Sequence, residues 1–379
     1  MMKPLMRSFA RCSFVAVYAA CGAGVGLAQD GADDGLPQSA VSNAPKVAQP
    51  GENATTVEEM RPYTEEIANT DLKFDLAPIP GGEFLIGSPE DEPNRAEDEG
   101  PQRRVSVSPF WMGTKEVTWD EYDVFFQRQD KQRRELAGVK PDQYELNADA
   151  VTRPTKNYTD MTFGMGHDGF PVICITQLSA KMYCKWLSEK TGHFYRLPTE
   201  AEWEFAARAG SETAYHFGDD PGQLGEYEWT VENSDFVYHP VGQKKPNPFG
   251  LYDMHGNVAE WCLDQYDPKF YASLPADGVT KDPYNVPTTI YPRSVRGGNW
   301  FDEADLARSA ARLPSTNDWK SDDPQIPQSI WWHTNSDFVG FRIVRPLTEP
   351  TEREKLKMQL IPRPEDVPEW GLREGFIDD

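Results

Sequence analysis

The sequence predicts a mixed fold of short strands and a few helices, separated by long irregular stretches. Residues 72–78 alternate apolar and polar side chains, and residues 81–87 follow a Pro-Gly-Gly turn, so both segments are predicted as strands. Apolar or β-branched runs predict four more strands, at residues 105–112, 171–175, 294–300 and 337–344. These patterns alone do not determine how the strands and helices are arranged in a fold.

Three helices are predicted between these strands. Two begin at capping boxes, Thr118–Glu121 and Thr199–Glu202, in which Glu follows the N-cap Thr by three positions. The third covers residues 176–191, has apolar side chains at helical spacing and ends at Gly192. Residues 128–170 are polar and show no period, so they are predicted to be irregular.

The two ends of the chain differ from its middle. Residues 1–28 read as a secretory signal peptide, because basic residues precede an apolar run and a small-residue cleavage site. Cys21 leaves a lipoprotein as a second alternative, which Tyr18 disfavours. Residues 29–69 are predicted to be a disordered linker and residues 70–346 the folded domain. Residues 347–379 are predicted to form a charged, Pro-interrupted tail.

The chain is strongly acidic, with a formal charge of −23 that becomes −26 once the basic leader is removed. This charge argues against binding to nucleic acid or to anionic membranes. No later apolar run reaches the length of a membrane helix. The sequence therefore predicts a periplasmic or secreted protein, monomeric, whose acidic surface is compatible with calcium.

Three cysteines follow the leader, Cys174, Cys184 and Cys262, and their spacing fits no zinc site. Two interpretations stay open. An oxidising compartment would allow one disulfide and leave one thiol over. Alternatively, these side chains are buried structural cysteines.

The most informative stretch is residues 247–261, NPFGLYDMHGNVAEW. Asp253 and Glu260 flank a tight bend that contains Gly256. Two carboxylates on such a bend, together with main-chain carbonyls, can surround a hard cation such as calcium. The alternative is a capped turn with solvated carboxylates, and the residues alone do not decide between the two.

Several motifs taken together resemble the formylglycine-generating enzyme family, also called the sulfatase-modifying-factor family. They are IPGGEFLIGS at 79–88, EVT at 116–118, PV at 171–172, YCKW at 183–186, RLPTEAEWEF at 196–205, GLYDMHGNVAEW at 250–261, RGGNW at 296–300 and VGFR at 339–342. They occur in the order of the family and cover about residues 72–346. Each motif alone is weak, and their ordered combination is specific.

The resemblance implies an α+β domain of the C-type-lectin-like type, low in regular secondary structure. It also implies structural calcium bound by side chains and main-chain carbonyls. One implied calcium site maps onto four residues and a second begins at two others: Asp253, Gly256, Val258 and Glu260 for the first, and Asn233 and Ser234 for the second.

The resemblance does not extend to the catalytic cysteines. Formylglycine-generating enzymes oxidise a cysteine of a sulfatase with copper and oxygen, and two active-site cysteines follow the Gly-Gly turn. Here those positions fall on Asp302 and about Ala307, and no cysteine follows Cys262. A carboxylate and a methyl group cannot hold Cu(I) as two thiolates do. Copper is therefore not expected.

Three functions remain open: an exported module that binds a protein or peptide, an enzyme that uses the same pocket for different chemistry, and an accessory domain that recognises sulfatases. The candidate pocket residues are Asn299, Trp300, Asp302, Glu303, Arg312 and His333. Carboxylates with a histidine can act as acid and base, although ion pairing on the surface is the simpler role. Trp331 and Trp332 are also candidates to line the groove. The remaining histidines are expected to be solvated or hydrogen-bonded: His167, His193, His216 and His239.

Overall fold

The computed structural model describes residues 48–359. The predictions for residues 1–47, which include the signal peptide and the lipoprotein Cys21, lie outside this range, as does the predicted tail from residue 360 onwards. The described strands are β1 Tyr63–Glu66, β2 Lys73–Ile79, β3 Gly82–Ile86, β4 Arg103–Val107, β5 Phe110–Gly113, β6 Ala259–Gln265, β7 Thr280–Lys281, β8 Arg293–Arg296, β9 Leu313–Pro314, β10 Val339–Gly340 and β11 Val344–Pro346. The described α-helices are α1 Trp119–Phe126, α2 Gln129–Leu136, α3 Gln143–Ala150, α4 Gln177–Thr191, α5 Glu200–Arg208, α6 Phe270–Ser273 and α7 Glu352–Gln359.

The strands form three small sheets. One is antiparallel with the order β1-β2-β5-β11, a second has the order β10-β6-β8-β9, and a third has the order β3-β4-β7. Strands β5, β6 and β8 are buried along their whole length, so they form the centre of the molecule. None of the helices between residues 48 and 359 is long and apolar enough to span a bilayer.

The predicted helix starts are confirmed. Thr118 caps α1 and Thr199 caps α5, and in each case the Thr hydroxyl accepts from the amide three residues on. Helix α4 begins after Thr176 and ends at Gly192, whose φ of 80° is the left-handed conformation that glycine adopts without strain. These signals are local, because each depends on residues within one turn of helix.

Three strand predictions are wrong in detail. The predicted strand at 105–112 is split between β4 and β5, which belong to different sheets. Residues 171–175 are buried but form only isolated bridges, at Pro171 and Ile175, and Cys174 between them has a positive φ of 61°. A left-handed residue turns the chain out of the extended path that a strand needs. The predicted strand at 337–344 is interrupted, and its two ends, β10 and β11, pair in different sheets.

The predicted disordered linker is wrong for residues 48–69. Strand β1 pairs with β2 over four residues, and the side chains of Tyr63 and Ile67 are buried in the main apolar cluster. This segment therefore contributes an edge strand to the first sheet. Beyond residue 346, Leu347 packs against the same cluster and α7 follows, so the beginning of the predicted tail is also structured.

The region 128–170, predicted to be irregular, contains α2 and α3. Their charged side chains face a buried ion-pair network rather than an apolar core. Lys190 of α4 lies 2.8 Å from Asp130 and 2.6 Å from Glu145, and Arg134 also pairs with Glu145. Because the network joins charges from three helices, no helical period of apolar residues reveals it in the sequence.

Candidate functional site

The Gly-Gly turn after β8 positions the first candidate residues. Gly297 and Gly298 have φ values of 102° and 67°, which favour glycine. A Cβ on Gly297 would lie 3.0 Å from the Trp203 ring, and a Cβ on Gly298 would lie 3.0 Å from Ala307 Cα. The turn therefore brings Ala307, the predicted second cysteine position, directly against the Gly-Gly backbone.

Asp302 lies on this turn in a partly buried environment. Asn299 Nδ2 donates to its carboxylate over 2.5 Å, and the Asp302 amide donates to the Asn299 carbonyl. Burial, with a smaller contribution from the nearby Asp305, raises the pKa of Asp302 to about 7. Asp302 is thus a carboxyl group that exchanges its proton near neutral pH, which suits an acid or a base.

Asn299 contacts Asp302, whereas Arg312 and Glu303 have other surroundings. Arg312 is held by Glu200, at 2.6 Å and 3.0 Å, and its guanidinium lies over the rings of Tyr266 and Tyr271. Glu303 is exposed. Arg312 therefore braces the fold, which is the simpler role that its charge suggested.

His333 and the tryptophans are core residues. His333 is buried, its Nε2 lies 3.0 Å from the Tyr291 hydroxyl, and burial lowers its pKa well below the ordinary value. Trp300, Trp331 and Trp332 are each less than a tenth exposed. Among residues 48–359, no hydrogen bond or ion pair joins His333 to Asp302. His333 therefore lies apart from Asp302, and the three tryptophans pack mainly in the core.

Sequence reasoning missed a histidine pair beside Ala307. The rings of His216 and His255 stack with centroids 5.3 Å apart, and His255 Nδ1 lies 2.8 Å from the Ala307 carbonyl. His255 Nε2 and both His216 nitrogens are buried without a hydrogen-bond partner in the described residues. Burial lowers the pKa of His216 to about 4 and of His255 to about 3, so both rings are neutral. The expectation that His216 is solvated or hydrogen-bonded is therefore wrong.

A group of buried carboxylates surrounds Asp253. Glu116, Glu228 and Asp253 are each almost completely buried, and each has one oxygen without a hydrogen-bond partner among the described residues: Oε2, Oε2 and Oδ1. Burial raises the pKa of all three, and the charge of Asp253 raises the pKa of Glu116 and Glu228 further. We call these three residues the carboxylate cluster.

The local backbone explains how Asp253 reaches this cluster. Asp253 has a φ of 57°, and a Cβ on Gly256 would lie 2.5 Å from the Trp229 carbonyl, so the bend needs glycine there. Asp253 Oδ2 accepts from the Gly242 amide over 2.6 Å, and Oδ1 has no hydrogen-bond partner among the described residues. Glu116 comes from the segment between β5 and α1, and Glu228 from the loop after α5.

Glu260 has a different environment. Its carboxylate accepts from Arg342 Nε and Nη2 at 2.6–2.8 Å and from Trp203 Nε1 at 2.8 Å. Arg342 thus neutralises Glu260, whereas burial raises the pKa of the cluster carboxyls and favours their protonated form. Unpartnered carboxylate oxygens are the kind of donor that calcium prefers. Among the described residues, the groups whose ligand atoms lie within 4.8 Å of one another do not include this cluster.

The second implied calcium position is a hydrogen-bonded turn. Asn233 accepts from the Thr230 amide and donates to the Glu228 carbonyl, at 2.8 Å and 2.9 Å. The Ser234 hydroxyl donates to the Trp300 carbonyl over 2.7 Å. Both side chains therefore have partners in this structure, and they connect the loop of Glu228 to the Gly-Gly turn.

The three cysteines are buried free thiols, so the alternative of a disulfide among them is wrong. Burial raises the pKa of Cys174, Cys184 and Cys262, which keeps each thiol protonated. A protonated buried thiol is a poor nucleophile and a poor ligand for Cu(I). The three side chains behave as apolar core residues.

The fold and the Gly-Gly turn define a class of α+β domains that are low in regular secondary structure. The solved structure of PvdO from Pseudomonas aeruginosa is similar, with a TM-score of 0.52 and 26% sequence identity over 79% of this chain and all of that one. The model of the sulfatase-modifying factor enzyme 1-like domain matches residues 68–347. The chain belongs to this family, as its motifs predicted.

Two curated relatives show how the domain is used elsewhere. The formylglycine-generating enzyme of Streptomyces coelicolor is 31% identical over 280 residues, which covers 64% of this chain and 85% of that protein. Serine/threonine-protein kinase pkn1 of Chlamydia pneumoniae is 30% identical over 251 residues, covering 65% of this chain and 36% of that protein. The chain thus spans about a third of the kinase-named relative and most of the enzyme.

The Asp302→Asn variant is expected to be more stable than the wild type above pH 7. The pKa of Asp302 is about 7 in the folded protein and near 4 when unfolded, so the wild type loses stability as pH rises from about 4 to 7. Asn removes this loss, and we expect a gain of about 1–3 kcal/mol at pH 8 and little change at pH 4. Urea unfolding at both pH values measures it, and equal gains at both would contradict the assigned pKa.

Proposed function

We propose that this protein is a non-oxidising member of its family that binds a protein or peptide segment. One observation carries the proposal: Asp302 and Ala307 stand at the two positions where the oxidising relatives have cysteines. The remaining cysteines of residues 48–359 are buried and protonated, so none of them replaces the missing thiolates.

A pair of exposed aromatic side chains beside Asp302 supports a binding role. Phe301 is 53% exposed and Phe236 is 60% exposed, and their ring centroids lie 6.0 Å apart. Exposed aromatic pairs of this kind often mark binding surfaces, because covering them removes apolar area from water. A peptide that carries an apolar side chain would cover this pair next to the Gly-Gly turn. A sulfatase segment is one such ligand, and it would make the protein an accessory domain.

We also propose that calcium stabilises the fold and that the protein is exported. The unpartnered oxygens of the carboxylate cluster support calcium, which would be held by Asp253 with Glu116 and Glu228 and would have a structural role. The leader pattern of residues 1–28 supports export to the periplasm or medium. Identification of the first residue of the protein recovered from that compartment tests the export proposal.

A second candidate function is an enzyme that uses proton transfer in the same region. The observation that favours it is the combination of Asp302, with a pKa of about 7, and the neutral rings of His216 and His255 near Ala307. With its pKa near 7, the Asp302 carboxyl can donate or accept a proton at neutral pH, and the neutral imidazoles can donate hydrogen bonds. Such chemistry would need no thiolate.

The purified protein is expected to leave a cysteine-containing sulfatase-type peptide unoxidised, even with copper and oxygen present, because no thiolate pair can bind Cu(I). Mass spectrometry of the peptide measures the outcome, and the Streptomyces coelicolor enzyme serves as the positive control. Conversion of the peptide would overturn the non-oxidising assignment.

A fluorescence anisotropy titration of the same peptide reports binding separately. The Phe301→Ser variant is expected to weaken any such binding at least tenfold.

A further inference from the structure

Three residues from separate segments meet at the edge of the first sheet. Glu65 occupies an inward position of β1, two residues after Tyr63, and its side chain is fully buried. His193 follows the helix-ending Gly192, and Glu52 is a buried residue of the turn before β1. One ligand atom from each of Glu52, Glu65 and His193 lies within 4.8 Å of the other two.

The contacts show how the imidazole is placed between the carboxylates. His193 Nδ1 lies 2.9 Å from Glu65 Oε2, and His193 Nε2 lies 3.9 Å from Glu52 Oε1. A tetrahedral ion with bonds of about 2.0–2.2 Å separates its ligand atoms by about 3.4 Å. Those two contacts involve different ring nitrogens, and one ligand atom from each of the three residues lies within 4.8 Å of the others. Contraction of each separation by up to about 1.4 Å would let one ring nitrogen and two carboxylate oxygens share an ion.

Neighbouring groups fix the orientation of both carboxylates. The Tyr195 hydroxyl donates to Glu65 Oε2 over 2.7 Å, and the Gln49 amide donates to Glu52 Oε2 over 2.7 Å. The Tyr195 hydroxyl also lies 3.2 Å from the Tyr63 hydroxyl. Hydrogen bonds that orient the ligands in this way accompany protein metal sites, where they set the direction of each ligand.

We propose that Glu52, Glu65 and His193 bind one divalent metal ion of the zinc type. An imidazole nitrogen with two carboxylate oxygens suits zinc better than calcium, which prefers oxygen alone. Two carboxylates also supply the charge that balances a divalent ion. The ion displaces the proton from the ring nitrogen that binds it, and a water molecule completes a tetrahedral set.

The position of the site indicates its effect. Glu52 and Glu65 precede residue 68, where the match to the family model begins, whereas His193 lies within the matched domain. The ion thus fastens the amino-terminal segment and β1 to the rest of the fold. A metal bound by the folded protein and not by the unfolded chain stabilises the folded state.

The test uses the untagged full chain, stripped of metal and titrated with Zn²⁺ and, separately, with Co²⁺. We expect one Zn²⁺ per chain at this site by calorimetry, and visible absorption from Co²⁺ of the intensity typical of a four-coordinate ion. Zn²⁺ is also expected to slow proteolysis within residues 48–66, because the ion ties this segment to His193. Failure of the wild type to bind Zn²⁺ or Co²⁺ in this way would overturn the proposal.

Variants identify the ligands. Glu52→Gln and His193→Gln are each expected to reduce zinc affinity at least tenfold and to abolish the cobalt absorption, and circular dichroism verifies their fold. The matched control is Asp120→Asn, in the more exposed group of Asp120, His167 and Asp168, which also offers two carboxylates and a histidine. We expect it to bind zinc as the wild type does. Unchanged binding in the first two variants, or a loss in the control alone, would overturn the assignment.

Discussion

Replacement of Arg342 by methionine is expected to destabilise the protein by about 3–5 kcal/mol, because it leaves a buried carboxylate without its partner. Arg342 is fully buried and binds both oxygens of Glu260. It also donates to the carbonyls of Gly113 and Tyr252, at 3.2 Å and 2.9 Å. Its guanidinium therefore joins β5, β6 and the bend before Asp253.

The electrostatic surroundings increase this effect. Glu116 and Asp253 lie close enough to Arg342 for its charge to lower their pKa, in opposition to burial. Without the guanidinium, Glu260 adds its charge to a cluster that is already acidic. Methionine has a similar length but cannot compensate for that charge.

Urea unfolding and the melting temperature measure the outcome, which should be a loss of about 10 °C. Arg104→Ala is the control, since Arg104 pairs with Glu83 on the surface at 3.8 Å, where both side chains are more than half exposed. We expect this control to change stability by less than about 0.5 kcal/mol. The double variant Arg342→Met with Glu260→Leu should recover part of the loss. Loss of less than about 1 kcal/mol in Arg342→Met would contradict the role assigned to the pair.

The sequence predicted those parts of the fold that depend on local signals. Thr118, Thr199 and Gly192 each act within one helical turn, so their roles follow from neighbouring residues. The family motifs predicted the fold class and the Gly-Gly turn. Composition suggested disorder before residue 70, but the segment is ordered because Tyr63 and Ile67 have a partner strand and an apolar cluster to cover.

The candidate site was less predictable, because its members come from distant segments. Asp302 and His333 carry suitable chemistry, yet His333 packs against Trp261 and Trp319 in the core. Conversely, His216 and His255 meet only through the folded chain. Motif spacing identifies the types of side chain available, and it cannot tell which of them are brought together by tertiary contacts.

The sequence predicted one member of the carboxylate cluster and missed the other two. The bend of residues 247–261 predicted an oxygen-rich position for Asp253, and its carboxylate does have an unpartnered oxygen. Glu116 and Glu228 were not predicted as its neighbours, since neither lies in a pattern with Asp253. Glu260, which the family resemblance assigned to calcium, is paired with Arg342. An ion at this place would therefore draw most on Asp253, Glu116 and Glu228.

Removal of calcium is expected to lower the melting temperature at pH 8 by about 5–10 °C. A ligand present at about 100 times the Kd of one site stabilises the folded state by about 2.7 kcal/mol. Calcium needs ionised carboxylates, whereas burial raises the pKa of Glu116, Glu228 and Asp253. Protons and calcium therefore compete for the same oxygens. The stabilisation by calcium should be largest at alkaline pH and should disappear as the pH falls and the cluster takes up protons.

Without calcium, the stability of the folded protein changes with pH in the opposite direction. Each carboxyl of the cluster has a folded pKa above its unfolded value, so its contribution is most favourable at low pH and is lost as pH rises through the folded pKa. The melting temperature measured with calcium and with a chelator should therefore diverge progressively from pH 5 to pH 8. Identical curves at all pH values would contradict a calcium site in this cluster.

The Asp253→Asn variant tests calcium binding without disturbing the fold. Asn has the same shape, tolerates the left-handed φ of 57° at this position and keeps an acceptor for the Gly242 amide. It removes the central charge, so the calcium response should fall to less than a fifth of that of the wild type. Asp302→Asn removes another buried carboxyl with a raised pKa, and it should keep the full response. If both variants respond to calcium as the wild type does, the ion binds elsewhere and the carboxylate cluster is stabilised by protons alone.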